Sequence, residues 1–290
     1  MKHTALLLIF LLLLGCFSGC AEQPSADIAA TTLPVYTFAS RLCQGTPLTV
    51  TQLVTESVSC LHDYTLQVGQ MRAIQGTKAV VINGAGLEEF MEDALHDAAT
   101  VIDASQSLSL LEGDHDHDHD HGHTHTEDPH IWLSPLNAKV MARNICYGLE
   151  EAFPQYADIF EDNLESLEAE LDALQSYGED TLSSLSCREL ITFHDGFSYL
   201  AESFGLTILM AVEEESGSEA SAAQLAELCR LVEAHHLKAI FTETNGSVSA
   251  AGIIARETGA KLYSLDMIMS GEDYFTLMYR NIDTIKEALQ

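Results

Sequence analysis

The segment from Gln155 to about Leu185 constrains the fold more than any other. Within it Phe160, Leu164, Leu167, Leu171 and Leu174 recur at alternating steps of four and three, and most other positions are Glu, Asp, Ser or Gln. That spacing places the apolar residues on one narrow stripe of a single α-helix, about 45 Å long at 1.5 Å per residue. A helix of this kind has one face to bury and must lie along something larger. Gly178 is the position where it could kink or end early. Pro154 separates it from a preceding amphipathic helix, Leu136–Ala152, which carries Met141, Ile145 and Leu149 on one side.

On both sides of this helix the chain alternates short β-like runs with helical stretches. Before it the predicted strands are Ile28–Thr32, Leu48–Leu53, Ala79–Asn83 and Thr100–Asp103, with helices Pro34–Cys43, Thr65–Gln75 and Leu87–Ala94 between them. After it come strands Glu189–Thr192, Thr207–Ala211, Ala239–Thr242 and Lys261–Leu265. Their helices are Gly196–Phe204, Ala220–Ala234, Val248–Thr258 and Asp273–Leu289. A βαβα order implies parallel sheets covered by helices. The expected fold is therefore α/β: two βα lobes, 28–153 and 187–290, joined by one long bridging α-helix, 154–186. With 47% hydrophobic residues there is ample material for real cores.

The first twenty residues stand apart. Lys2 precedes the apolar run Ala5–Leu14, which is too short to span a bilayer and has the length of a signal-peptide core. A small residue then precedes a cysteine twice, in Gly15-Cys16 and Gly19-Cys20, resembling a bacterial lipoprotein processing site. Cys20 is the preferred lipid anchor, because 21–27 then becomes a polar tether. An ordinary cleaved secretory signal is the alternative, and either places the mature chain outside the cytoplasm; the lipid anchor would hold it on the periplasmic or outer face of the cell membrane. No later segment is apolar enough to span a membrane. Export permits disulfides among Cys43, Cys60, Cys146, Cys187 and Cys229, with Cys43–Cys60 the first candidate. The other reading makes all five small buried hydrophobes.

Charge narrows the partners. Thirteen Lys+Arg against 44 Asp+Glu give a formal charge of −31. Nucleic-acid binding needs clustered Lys and Arg, and a basic face would be needed to dock on anionic lipid, so neither is expected. Asp114 to His125 instead alternates acid and imidazole, with His115, His117, His119, His121, His123 and His125. With no apolar residue the tract cannot pack, but it can collect divalent metal. A tract of this sort suits collection or buffering, and the selective site should come from residues fixed by the scaffold.

In parallel α/β sheets ligands bind beyond the carboxyl ends of the strands. Four residues fit that placement: His62 after Leu48–Leu53, His130 just beyond the His-rich tract, His194 after Glu189–Thr192, and Asp266 after Lys261–Leu265. Each lobe supplies two, and all four could face one interlobe cleft. Three imidazoles and a carboxylate suit tetrahedral Zn²⁺. Taken singly, each histidine could be a surface or capping residue and Asp266 a helix cap. Asp195, Glu214 and Glu243 are the acidic candidates to orient the imidazoles. Glu213-Glu214-Glu215 reads as a solvated loop, His235-His236 as a helix-end pair, His96 as a surface residue, and Tyr36 and Trp132 as packing around the cleft.

Several segments resemble a known family, the metal-binding receptors of bacterial zinc/manganese ABC importers. They are Asn83-Gly84-Ala85-Gly86-Leu87-Glu88, Asp128-Pro129-His130-Ile131-Trp132-Leu133-Ser134-Pro135, Phe193-His194-Asp195-Gly196-Phe197 and Glu257-Thr258-Gly259-Ala260. The His-rich insertion before His130 resembles the zinc-specific branch. The resemblance implies ligands at His62, His130, His194 and Asp266, the last exchangeable with water. It implies Zn²⁺ over the harder Mn²⁺, since manganese receptors typically have Glu where His194 stands. It also implies a membrane permease with its cytoplasmic ATPase as partner, and a monomeric receptor. In one departure, Leu61 stands where the family usually has Pro or an acidic residue before the first ligand.

Two other function classes remain open at this point. A zinc-dependent hydrolase would need an open metal position and a general base; Asp195 and Glu243 are available, but no H-E-x-x-H helix or serine elbow appears. A metal-buffering or adhesive surface lipoprotein would make the His tract the whole function, so that deleting 114–125 abolishes tight binding.

Overall fold

The structure is a computed structural model, and it describes residues 26–56, 61, 64–96, 98–113, 127–212 and 221–290. The expected signal, residues 21–25 of the tether, Cys60, His62, the Asp/His tract and Glu214 lie outside the described residues.

Strands β1 (Ile28–Ala30), β2 (Val50–Gln52), β3 (Ala79–Ile82) and β4 (Val101–Asp103) form a parallel sheet in the order β2-β1-β3-β4. Strands β5 (Glu189–Phe193), β6 (Thr207–Ala211), β7 (Ala239–Glu243) and β8 (Lys261–Leu265) repeat that order as β6-β5-β7-β8. In each sheet the chain steps one way from the first strand and then the other, leaving a crevice at the carboxyl ends of β1/β3 and of β5/β7. That switch point is where parallel sheets bind ligands.

Helix α1 (Leu33–Leu42) starts on Pro34, whose missing N–H costs nothing in a first turn. Helix α2 (Val68–Gly76) begins three residues later than Thr65, where Gln67 and Gln70 cap each other's backbone. The expected helix over 87–94 is instead a 3-10 turn, Glu89–Met91, running into the short α3 (Glu92–His96). The reason lies just before it: Gly84, Ala85 and Gly86 all take positive φ (81°, 54° and 82°), and Glu88 turns its carboxylate back onto that loop.

Helix α4 (Pro135–Ala152) is capped by Ser134. The bridging helix α5 (Ala157–Leu182) follows the 3-10 turn Pro154–Tyr156; its 26 residues make it about 39 Å long. It runs through Gly178 without ending there. A Cβ on Gly178 would lie 2.2 Å from Phe204 Cε1, so the glycine admits that ring against the helix. The second lobe adds α6 (Ser198–Ser203), α7 (Ala222–Ala234), α8 (Ser249–Thr258), which ends at Gly259 with φ 79°, and α9 (Tyr274–Leu289), capped by Asp273.

Helix α5 packs on α1 and α4 from one side of the chain and on α9 from the other. Its exposed acids pair with Arg41, Lys139 and Arg143. The strands alternate between two cores, as a period of two requires. Ile28, Ala30, Val81, Leu190, Ala239 and Phe241 enter one continuous core shared by both lobes and α5. Ala29 and Val80 face an outer core of the first lobe, and Ile191 and Ile240 an outer core of the second.

Cys43, Cys146, Cys187 and Cys229 form no disulfide among the described residues. Cys43 caps α1 from inside the shared core, and Cys60, its expected disulfide partner, lies outside the described residues; burial pushes the Cys43 and Cys146 thiols up to about 12. Among the described residues no helix is long and apolar enough to cross a membrane.

Candidate metal centre

His130 caps the 3-10 turn Ile131–Leu133 and is 5% exposed. Asp128, two residues earlier and equally buried, accepts the His130 backbone N–H at 2.9 Å through Oδ1. The same oxygen lies 2.7 Å from His130 Nδ1. This Asx turn is built from the short reach of an aspartate to the N–H two residues on. It commits Nδ1 of the ring to the carboxylate, and a ring nitrogen so occupied leaves Nε2 with the free lone pair.

His194 follows β5, and its Nε2 lies 3.5 Å from His130 Nε2, with the rings edge to face. Two nitrogens held at 2.0–2.1 Å by one tetrahedral Zn²⁺ are about 3.4 Å apart. The spacing is poor for a hydrogen bond and right for two ligands of one ion. Glu243, 4% exposed at the end of β7, places Oε2 3.8 Å from His194 Nδ1. His194 and Glu243 therefore flank the switch point of the second sheet.

The loop carrying His130 is fastened over the switch point of the first sheet. Asn83, at the end of β3, donates from Nδ2 to Pro129 O at 3.0 Å and to Gly84 O at 3.1 Å. Glu88 accepts from Asn83 N, Gly84 N and Thr31 Oγ1. From the second lobe, Met267 O accepts from Trp132 Nε1 at 2.8 Å, and Tyr274 Oη donates to Trp132 O at 2.7 Å. Trp132 is fully buried in this seam.

Asp266 follows β8, partly buried. Asn281 on α9 clamps its backbone by two bonds of 2.8 Å, and its Oδ1 accepts from Ile268 N at 2.7 Å. Ile268 has φ 61°, a left-handed conformation that a β-branched residue adopts only when its surroundings impose it. Here the turn presents Met267 O to Trp132 and Met269 O to the N–H of Leu33.

The structure thus brings His130 and His194 together and gives Asp266 a strand-end position with one oxygen already engaged. His62 lies outside the described residues, and among those described no three His, Cys, Asp or Glu side chains converge. The donor set present fits a zinc-type ion: two neutral imidazole nitrogens at the right separation. Beside them, the buried Asp128 Oδ2 has no hydrogen-bond partner among the described residues, a negative group that a cation on His130 would compensate.

Sequence reasoning placed Asp128, Asn83, Glu88 and Gly196 in family-like segments but gave none of them a role at the site. A Cβ on Gly196 would meet Met267 Cε at 2.6 Å and the His194 ring at 2.7 Å, so only glycine admits both. Of the residues given structural roles, Trp132 packs as expected, His235 pairs with Glu189 at 2.9 Å, and His96 lies exposed at the end of α3.

Residues 28–288 match the family model described as "Zinc-uptake complex component A periplasmic". The chain is 31% identical to the high-affinity zinc uptake system protein ZnuA of Bacillus subtilis, covering 97% of this chain and 94% of that one. It is 29% identical to the zinc-binding lipoprotein AdcA of Streptococcus pneumoniae, covering 99% of this chain but 61% of that longer one. A crystal structure of ZnuA superposes with a TM-score of 0.80 at 28% identity, over 92% of this chain and all of that one.

Proposed function

The chain belongs to the family of zinc-uptake complex component A, a family of metal-binding transport receptors, and on that premise we propose that it captures Zn²⁺ in the cleft between its lobes. The proposed ligands are His130 and His194 from the described site, with His62 and Asp266 completing the set; the observation that carries this is the 3.5 Å approach of the two Nε2 atoms beside a buried carboxylate. We assign the chain no catalytic role. The ion is cargo, passed to a membrane permease with its ATPase. In the same reading, 1–20 is a lipoprotein signal, Cys20 carries the lipid, 28–153 and 187–290 are the lobes around the bridge 154–186, and the receptor is a monomer. The imidazoles of 115–125 gather zinc near the cleft and do not form the tight site.

The test uses a chain starting after Cys20 with 114–125 deleted. Native mass spectrometry counts bound Zn²⁺, and chelator competition compares it with Mn²⁺. One tightly held zinc, lost in His130→Ala or His194→Ala, is expected. Absence of tight zinc would move the function to the tract and make the chain a buffer; tight manganese would overturn the metal. Imidazole binds metal only when neutral, so affinity is expected to fall as pH drops below about 6, where imidazole generally takes up a proton. Chelator competition from pH 5 to 8 reads this, and a flat profile would contradict imidazole ligation.

A further inference from the structure

The Asp/His tract lies between the described residues 113 and 127. Its two ends are fastened together: Glu112 and Glu127 form an antiparallel bridge, and Asp128 N donates to Leu111 O at 2.8 Å. In an ordinary antiparallel pair, Leu111 N and Asp128 O would bond each other in return. Here a side chain from the other lobe stands between them. The hydroxyl of Tyr199 accepts from Leu111 N at 2.9 Å and donates to Asp128 O at 3.0 Å.

Tyr199 is 2% exposed and sits in α6, five residues after His194. Its hydroxyl is kept neutral by burial, which pushes it up to about 12. The residue it holds, Asp128, is the one whose carboxylate is engaged with His130 Nδ1. Both His194 and Tyr199 therefore reach from one short stretch of the second lobe to one short stretch of the first. His194 meets the imidazole, and Tyr199 holds the backbone behind it.

We propose that Tyr199 is a positioning residue for zinc capture: its hydroxyl clamps the base of the His-rich tract to the second lobe and, through Asp128, sets the orientation in which His130 presents Nε2 to His194. The proposal rests on the metal-site reading above. It places the mouth of the tract within two residues of a ligand and makes the clamp part of the site. The ring supplies packing and the oxygen supplies position, so the two contributions can be separated by removing one atom.

Tyr199→Phe, made in the chain starting after Cys20 with the tract intact, keeps the ring. Three quantities are read: zinc affinity by chelator competition, the visible absorption of bound Co²⁺ as a report on ligand geometry, and the melting temperature without metal. Zinc affinity is expected to fall roughly tenfold, the range for losing a group that orients a metal-bound imidazole, with an altered Co²⁺ spectrum. In an Asp128→Asn background the same change should alter affinity less than about twofold, because residues acting through one another are not additive. A lower melting temperature with unchanged affinity and Co²⁺ spectrum would make Tyr199 merely structural and overturn the proposal. His130→Ala separates the two claims: wild-type affinity in that variant would overturn the metal-site reading itself, and the role of Tyr199 with it.

Discussion

Gly196 shows how closely the candidate ligands are hemmed in. With Met267 Cε and the His194 ring each under 3 Å from where a Cβ would stand, alanine must displace one of them. Overpacking of this kind costs about 1–3 kcal/mol. If the imidazole gives way, Gly196→Ala should weaken zinc binding by roughly tenfold to a hundredfold in chelator competition. Unchanged affinity would mean that the methionine moves instead. His130 and His194 were readable in the sequence because they follow or precede regular elements at the end of the sheet where ligands gather. Asp128 was visible only as a neighbour of His130: its spacing permits an Asx turn, but whether its carboxylate also reaches the ring depends on a rotamer. Tyr199 could not be read at all, since its partners lie 88 and 71 positions away in the chain.

The loop Asn83–Glu88 runs from β3 into the 3-10 turn Glu89–Met91 and is tied to the metal-site segment by Asn83, and the Glu88 carboxylate within it sits in opposing influences. Burial pushes Glu88 up from an ordinary 4.5 to about 7, against hydrogen bonds from Thr31, Asn83 and Gly84 that favour the charged form. A raised value in the folded state means that this group stabilises the fold most below about pH 4.5 and that the contribution is lost as pH climbs through 7. Each tenfold gain in proton affinity on folding is worth about 1.4 kcal/mol, so the loss approaches about 3 kcal/mol. Denaturant titrations of the native chain and Glu88→Gln should therefore diverge by that order between pH 5 and 8, the native chain losing ground as pH rises. A constant difference would show that Glu88 does not titrate there. Elements with strong periodicity, α5 above all, were readable to within a few residues. The expected helix at 87–94 was not, because the sequence pattern carried no sign that Glu88 would serve the preceding loop.

Neither lobe owns its inner core. Strand residues from both sheets, with α1, α4, α5 and α9, meet in one cluster, so neither half can unfold while the other keeps its packing. Calorimetry of the metal-free chain should show one transition, and zinc at 100 times its dissociation constant should raise it as a whole by roughly 5–10 °C. Two separate peaks would contradict the shared core. The alternation in the strands announced two-sided burial, but which face would meet the other lobe was settled only by contacts between distant segments.

The seam at Trp132 has a consequence for signalling. Trp132 and Tyr274 tie the first lobe to the second, and Leu33 is bonded to Met269 beyond the strained Ile268 turn. A body sutured in this way has little freedom to swing shut around its cargo. What a filled receptor then offers its importer is quietness at the rim: zinc should lower the amplitude of local fluctuation at 127–133 and 266–269, a message written in entropy. Amide hydrogen exchange should slow in those two stretches on adding zinc and stay the same on the far faces of both sheets; uniform slowing, or none, would remove the idea.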